Sequence, residues 1–120
     1  MFVIYGKENA DKLVERMTIL ELDTFFQTGM SEPLPAFAVL SMEEIPFQEV
    51  SQIESMRDLH NNMIVEYRKK NFNFCIQALE HLNGKWSGTL DSFYKIFEER
   101  VKELDIKVPD NWDGIIYKDA

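Results

Sequence analysis

The sequence predicts an α+β fold, a short strand–helix–β-hairpin unit followed by three short helices in an α-hairpin arrangement. Three observations carry that expectation. Residues 1–41 hold β-prone runs separated by turn residues. Residues 51 onward hold apolar residues at helical spacing. Hydrophobic residues make up 45% of the 120, enough for a core, so disorder throughout is excluded.

Taken in order, Phe2-Val3-Ile4-Tyr5 is a short β-prone run stopped by Gly6. Lys7 to about Met17 follows as a helix, because Ala10, Leu13, Val14 and Met17 recur on one helical face. Residues 19–26 read as a strand, Gly29 as the turn, and residues 34–40 as the return strand, with Pro35 near its start, where a missing N–H is tolerated. A sheet this small under one helix buries little surface, so the segment reads as the end of a larger sheet domain.

Residues 42–50, including Pro46, form a connector. Ser41-Met42-Glu43-Glu44 could cap a single turn there, but Ser51-Gln52-Ile53-Glu54 is the better capping box, since a long amphipathic pattern follows it. Ile53, Met56, Leu59, His60, Met63, Ile64 and Tyr67 then face one side of a helix reaching about Lys70. Asn71 breaks it. A second helix carries Phe72, Cys75, Ile76 and Leu79 and stops near Asn83-Gly84. A third runs from Thr89, with Leu90, Phe93, Tyr94, Phe97, Val101 and Leu104 inward. Residues 108–114 are a turn-like tail whose Trp112 must land on something apolar; we read it as a core plug. The division is thus 1–41, a connector at 42–50, and a helical tail at 51–120.

Charge and chemistry narrow the function. A net charge of −8 repels a phosphate backbone, so nucleic acid is not an expected partner. The basic cluster Arg68-Lys69-Lys70 reads as a solvated helix end favoured by the helix dipole. Cys75 is the single cysteine, so no intrachain disulfide can form; that fits a reducing, cytoplasmic setting, and its place in an apolar stripe points to a buried thiol. No apolar run nears the roughly 20 residues a bilayer crossing needs, and the N-terminus lacks a signal peptide's basic flank, so no membrane insertion is expected.

A catalytic or metal site is not expected either. His60 and His81 lie in different helices, and no His-x-x-x-His or Cys-x-x-Cys spacing occurs. Cys75 and His81, six residues apart, fall on different helical faces. The carboxylate pairs Glu43-Glu44, Glu98-Glu99 and Asp110 with Asp113 read as solvated. Residues 110–114 lack the later bidentate Glu of a calcium loop, and Gly84 and Gly88 do not form a phosphate loop. Phe93, Tyr94 and Phe97 fit a helix core better than a base-stacking platform. No cofactor is implied.

Four stretches, Tyr5 to Leu13, Leu20-Glu21-Leu22-Asp23, Gly29-Met30-Ser31-Glu32-Pro33-Leu34 and Phe37-Ala38-Val39-Leu40, come in an order that resembles the last part of a class III adenylate/guanylate cyclase catalytic domain. Glu66 to Ile76, with Pro109-Asp110-Asn111-Trp112-Asp113-Gly114, is similar to the tetratricopeptide-like tail that follows that domain in bacterial cyclases. The resemblance implies a parent reaction from ATP to cyclic AMP and diphosphate in signal transduction. The family's metal-binding aspartates, purine-selecting residues and transition-state Asn/Arg would lie upstream of the matched segment. Thr28 and Met30 stand where the family's hairpin carries basic residues, and neither can supply a charge to nucleotide phosphates.

The expected role is therefore a non-catalytic C-terminal regulatory or interaction module, with a protein partner or self-association and apolar strand edges exposed at residues 2–5 and 19–26. The alternative is a free-standing helical adaptor with an open groove between its helices. Tyr67, Phe72, Cys75, Phe93, Phe97, Trp112, Asp113 and Gly114 are the candidate interaction or structural residues.

Overall fold

A computed structural model describes residues 1–118, and the architecture is α+β. Strands β1 (Phe2–Tyr5), β2 (Thr18–Gln27) and β3 (Leu34–Leu40) occur where the β-prone runs place them. The sheet order is β1-β3-β2-β4, with both β1 and β2 antiparallel to β3. The β2–β3 register slips between Glu21 and Thr24, so one extra β2 residue is accommodated there. Beside that bulge the Asp23 carboxylate accepts from Arg100 at 2.7 Å.

Helix α1 (Lys7–Asp11) is shorter than the 7–17 pattern. It starts at Gly6 with no side-chain cap, and Val14 is 58% exposed, so a second turn would have no surface to bury against. Residues 12–17 instead descend through turns closed by Arg16 and Met17 N–H donating to the Leu13 carbonyl.

The connector is two 3-10 turns, Met42–Glu44 and Phe47–Gln52. The capping box forms at Ser41 and Glu44, whose carboxylate accepts from the Ser41 N–H at 2.7 Å. It does not form at Ser51, because the 3-10 turn runs straight into the next helix and leaves Ser51 inside helical backbone. Helices α2 (Ile53–Arg68), α3 (Phe72–Leu82) and α4 (Asp91–Ile106) follow, α3 capped by the Asn71 side chain on Phe74 N–H. The last two residues of the 51–120 segment lie outside the described residues.

The tail is more than a turn. Ile115–Lys118 forms β4, parallel to β2 and paired with it from Thr24 to Gln27. One continuous core joins sheet and helices: Leu20, Ala38 and Leu40 lie against Met63, Ile64, Tyr67, Leu79 and Phe97. The helical layer thus buries one face of the sheet, which is the main source of stability for helices this short.

The outer edge of β2 is not exposed as expected for residues 19–26. Glu21 N–H donates to Asn61 Oδ1 at 2.9 Å, and Asn61 Nδ2 donates to the Ile19 carbonyl at 3.3 Å. The amide of Asn61 thereby imitates a neighbouring strand. His60 takes the Glu21 carbonyl at 2.6 Å, and β4 covers the remainder from Thr24 onward. Two consecutive α2 side chains and a late strand seal what the sheet alone would leave open.

Candidate functional site

The buried polar chemistry of the molecule lies on one chain of hydrogen bonds. Trp86 Nε1 donates to Tyr94 Oη at 3.0 Å, and Tyr94 Oη lies 3.0 Å from His60 Nδ1. The indole can only donate and the Glu21 carbonyl can only accept, so the proton positions follow. Tyr94 donates to Nδ1, and Nε2 carries the imidazole proton to Glu21. Trp86, Tyr94 and His60 are all fully buried. Burial pushes the imidazole down to about 4, so it stays neutral near pH 7, and burial likewise pushes the Tyr94 phenol up. This chain ties β2, α2, α4 and the 86–88 turn together and presents no group to solvent.

Tyr67, Phe72, Phe97 and Trp112 converge. Tyr67 meets Phe97 at 4.9 Å and Trp112 edge-on at 5.0 Å, and Trp112 also contacts Phe72 at 6.2 Å. Trp112 Nε1 donates to the Tyr67 carbonyl at 3.1 Å, at the C-terminal end of α2. Phe93 stands beside this group, against Phe97 and His60. Cys75 is apart, its thiol donating to the Met63 carbonyl at 3.5 Å and pushed up to about 12, chiefly by burial. A thiol held neutral in this way is not a nucleophile near pH 7.

Asp113 and Gly114 deliver β4. Asp113 accepts from Ile115 N–H at 2.9 Å and from the Tyr117 hydroxyl, and that second bond holds its carboxyl below the usual carboxylate range. Gly114 is buried at φ +78°, and a Cβ there would lie 2.6 Å from Arg68 Cγ. Arg68 in turn donates to Glu21 at 3.0 Å and Thr24 at 3.1 Å. Gly114→Ala is expected to cost about 2 kcal/mol, from left-handed backbone strain plus this contact. Amide exchange across Ile115–Tyr117 should accelerate with it; a change below about 0.5 kcal/mol with β4 still protected would contradict the account.

Two surface features remain, the first at residues 2–5, where the sequence leads one to expect an exposed strand edge. It is the open edge of β1. Gly6 N–H donates to the Pro35 carbonyl, so by alternation Ile4 and Phe2 also bond to β3, while Val3 and Tyr5 aim their backbone groups outward. Among the described residues, the one outward group that is taken is the Tyr5 carbonyl, by Asn9 Nδ2 at 2.8 Å. Phe2, Val3 and Tyr5 are 48%, 42% and 52% exposed.

The second is a cleft of about 420 Å³ on the sheet face opposite the helical core, between α1 and α2. Its walls are two helical-period stripes, Lys7, Ala10, Asp11 and Val14 on one side and Arg57, Asn61, Val65 and Arg68 on the other. Ala10 and Val14 stand on the helical face that the sequence shows; that Arg57, Asn61, Val65 and Arg68 oppose them was not legible there. Among the described residues no three His, Cys, Asp or Glu side chains stand together as a metal-binding group, and no helix is long and apolar enough to cross a membrane. No protein-family model, no curated protein and no solved structure matches this chain.

Proposed function

We propose that this chain is a non-catalytic regulatory or interaction module, cytoplasmic, of the kind its likeness to the end of a class III cyclase implies, and that it joins a protein partner by strand addition at β1. The carrying observation is the contrast between the two flanks of the sheet. The β2 side is closed by His60, Asn61 and β4, whereas β1 offers Val3 N–H, Val3 C=O and Tyr5 N–H to an added strand. Met1 to Gly6 carry no charged side chain, in a chain that is 28% charged. Edge strands are ordinarily guarded by charge, proline or a cover; β1 has no charged side chain and no proline, its neighbouring N-terminal ammonium is engaged by Glu44, and among the described residues the Asn9 amide on the Tyr5 carbonyl is its one cover.

The non-catalytic reading is supported by the state of the reactive groups, since Cys75 and His60 are both buried, neutral and committed to structural bonds. A helical adaptor would need an open seam between helices. That seam is filled by Tyr67, Phe72 and Phe97, which favours the strand edge.

Light scattering across a concentration series tests the proposal, with a second copy as the simplest strand donor. The purified chain should pass from monomer to dimer as concentration rises. Val3→Pro removes one outward N–H without touching the β3 ladder, and should leave a monomer of unchanged melting temperature. A wild-type monomer at every concentration, or a dimer indifferent to Val3→Pro, would count against β1.

A further inference from the structure

We infer that the cleft between α1 and α2 is a binding site for a small amphipathic anion, an aryl or alkyl group bearing one carboxylate or sulfonate. The floor is apolar, made by Met17, Ile19 and Phe37 on the sheet face away from the main core. Val14 and Val65 form opposite lips, 58% and 43% exposed although each belongs to a helical-period stripe that faces the cleft. An apolar body laid across that floor would cover both. The volume, about 420 Å³, is within the range of small-molecule sites and too small for a helix of a partner protein.

Charge selects the head group. Lys7, Arg57 and Arg68 line the cleft against Asp11 and Glu21, an excess of one positive charge inside a chain of net −8. Glu21 is already neutralised by Arg68 at 3.0 Å. Among the described residues Arg57 pairs with its sequence neighbour Asp58 alone, in a solvent-exposed pair at 3.2 Å that contributes little. Lys7 has no ion pair among the described residues. Arg57 and Lys7 are thus two cations available to an incoming anion, whereas a cationic amphiphile would find the single carboxylate of Asp11 beside two like charges. The site is separate from the β1 edge and does not depend on the strand-addition reading.

The probe is 1-anilinonaphthalene-8-sulfonate, followed by fluorescence and by amide chemical shifts of the full chain, with decanoate and a decyltrimethylammonium salt as competitors. Expected are saturable one-to-one binding, shifts confined to residues 7–21, 37 and 57–68, and displacement by decanoate but not by the ammonium salt. The Lys7→Glu, Arg57→Glu double variant should weaken binding at least tenfold at an unchanged melting temperature. If that pair misfolds, Val14→Trp, which fills the cleft from an exposed position, should abolish binding instead. Shifts centred on β1 or spread over the molecule, equal displacement by the cation, or full affinity in the folded variants would overturn the assignment.

Discussion

Acidification from pH 6.5 to 4 is expected to remove about 3 kcal/mol of stability through His60 alone. The imidazole sits at about 4 in the folded chain against an ordinary 6.5, because burial disfavours its charged form and outweighs the bond to the Glu21 carbonyl. Between these values the unfolded chain binds a proton that the folded chain refuses. Stability is therefore full above 6.5, falls as pH drops through the window, and levels off below 4 as far as this group is concerned. Protonation would also place a donor at Nδ1, where Tyr94 already donates, so the Trp86–Tyr94–His60 chain would break at its centre. Urea unfolding at several pH values, compared with His60→Gln, isolates the effect: the variant starts less stable but should lack this slope. Parallel slopes in both proteins would mean the histidine is not the titrating group.

Replacing Trp112 by Ala should cost about 3 kcal/mol. The indole is half-buried, packs edge-on against Tyr67 and Phe72, and donates to the last turn of α2. It also anchors the turn closed by Trp112 N–H on the Pro109 carbonyl, two residues before Gly114 meets Arg68. Its loss would therefore weaken the helical layer and loosen β4 together, lowering the melting temperature and the protection of the β4 amides. A melting temperature within a degree or two of wild type would show that the tail is held by the β2 pairing without the plug.

Much of the framework was legible because it rests on local patterns. The strands at 2–5 and 34–40, and helices α2 and α3, lie within two or three residues of where turn residues and apolar spacing put them. The inner faces follow too, as Met56, His60, Met63, Ile64 and Tyr67 of α2 are buried. The misses share one cause. Val14 continues a good helical stripe, but no second layer lies over it, so α1 stops early. Ile115-Ile116-Tyr117 has β-prone chemistry, yet four residues make a strand only when β2 lies beside them, and β2 is some ninety residues earlier in the chain. Ser51 has the right neighbours for a capping box and the wrong backbone.

The sequence by itself determined the strands β1, β2 and β3, the helices α2, α3 and α4, and which side of each of those helices is apolar, because periodicity and turn chemistry are properties of neighbouring residues. Only the tertiary structure decided which edges are closed. In the sequence His60 belongs to the apolar stripe of α2 and Asn61 merely follows it, and the two become a surrogate strand solely because α2 crosses beside Ile19 and Glu21. The cleft arises in the same way, from two short stripes about fifty residues apart in sequence that face each other across one side of a sheet. Such sites depend on long-range pairing, whose free energy is distributed over the whole core and leaves no periodic trace in either segment alone.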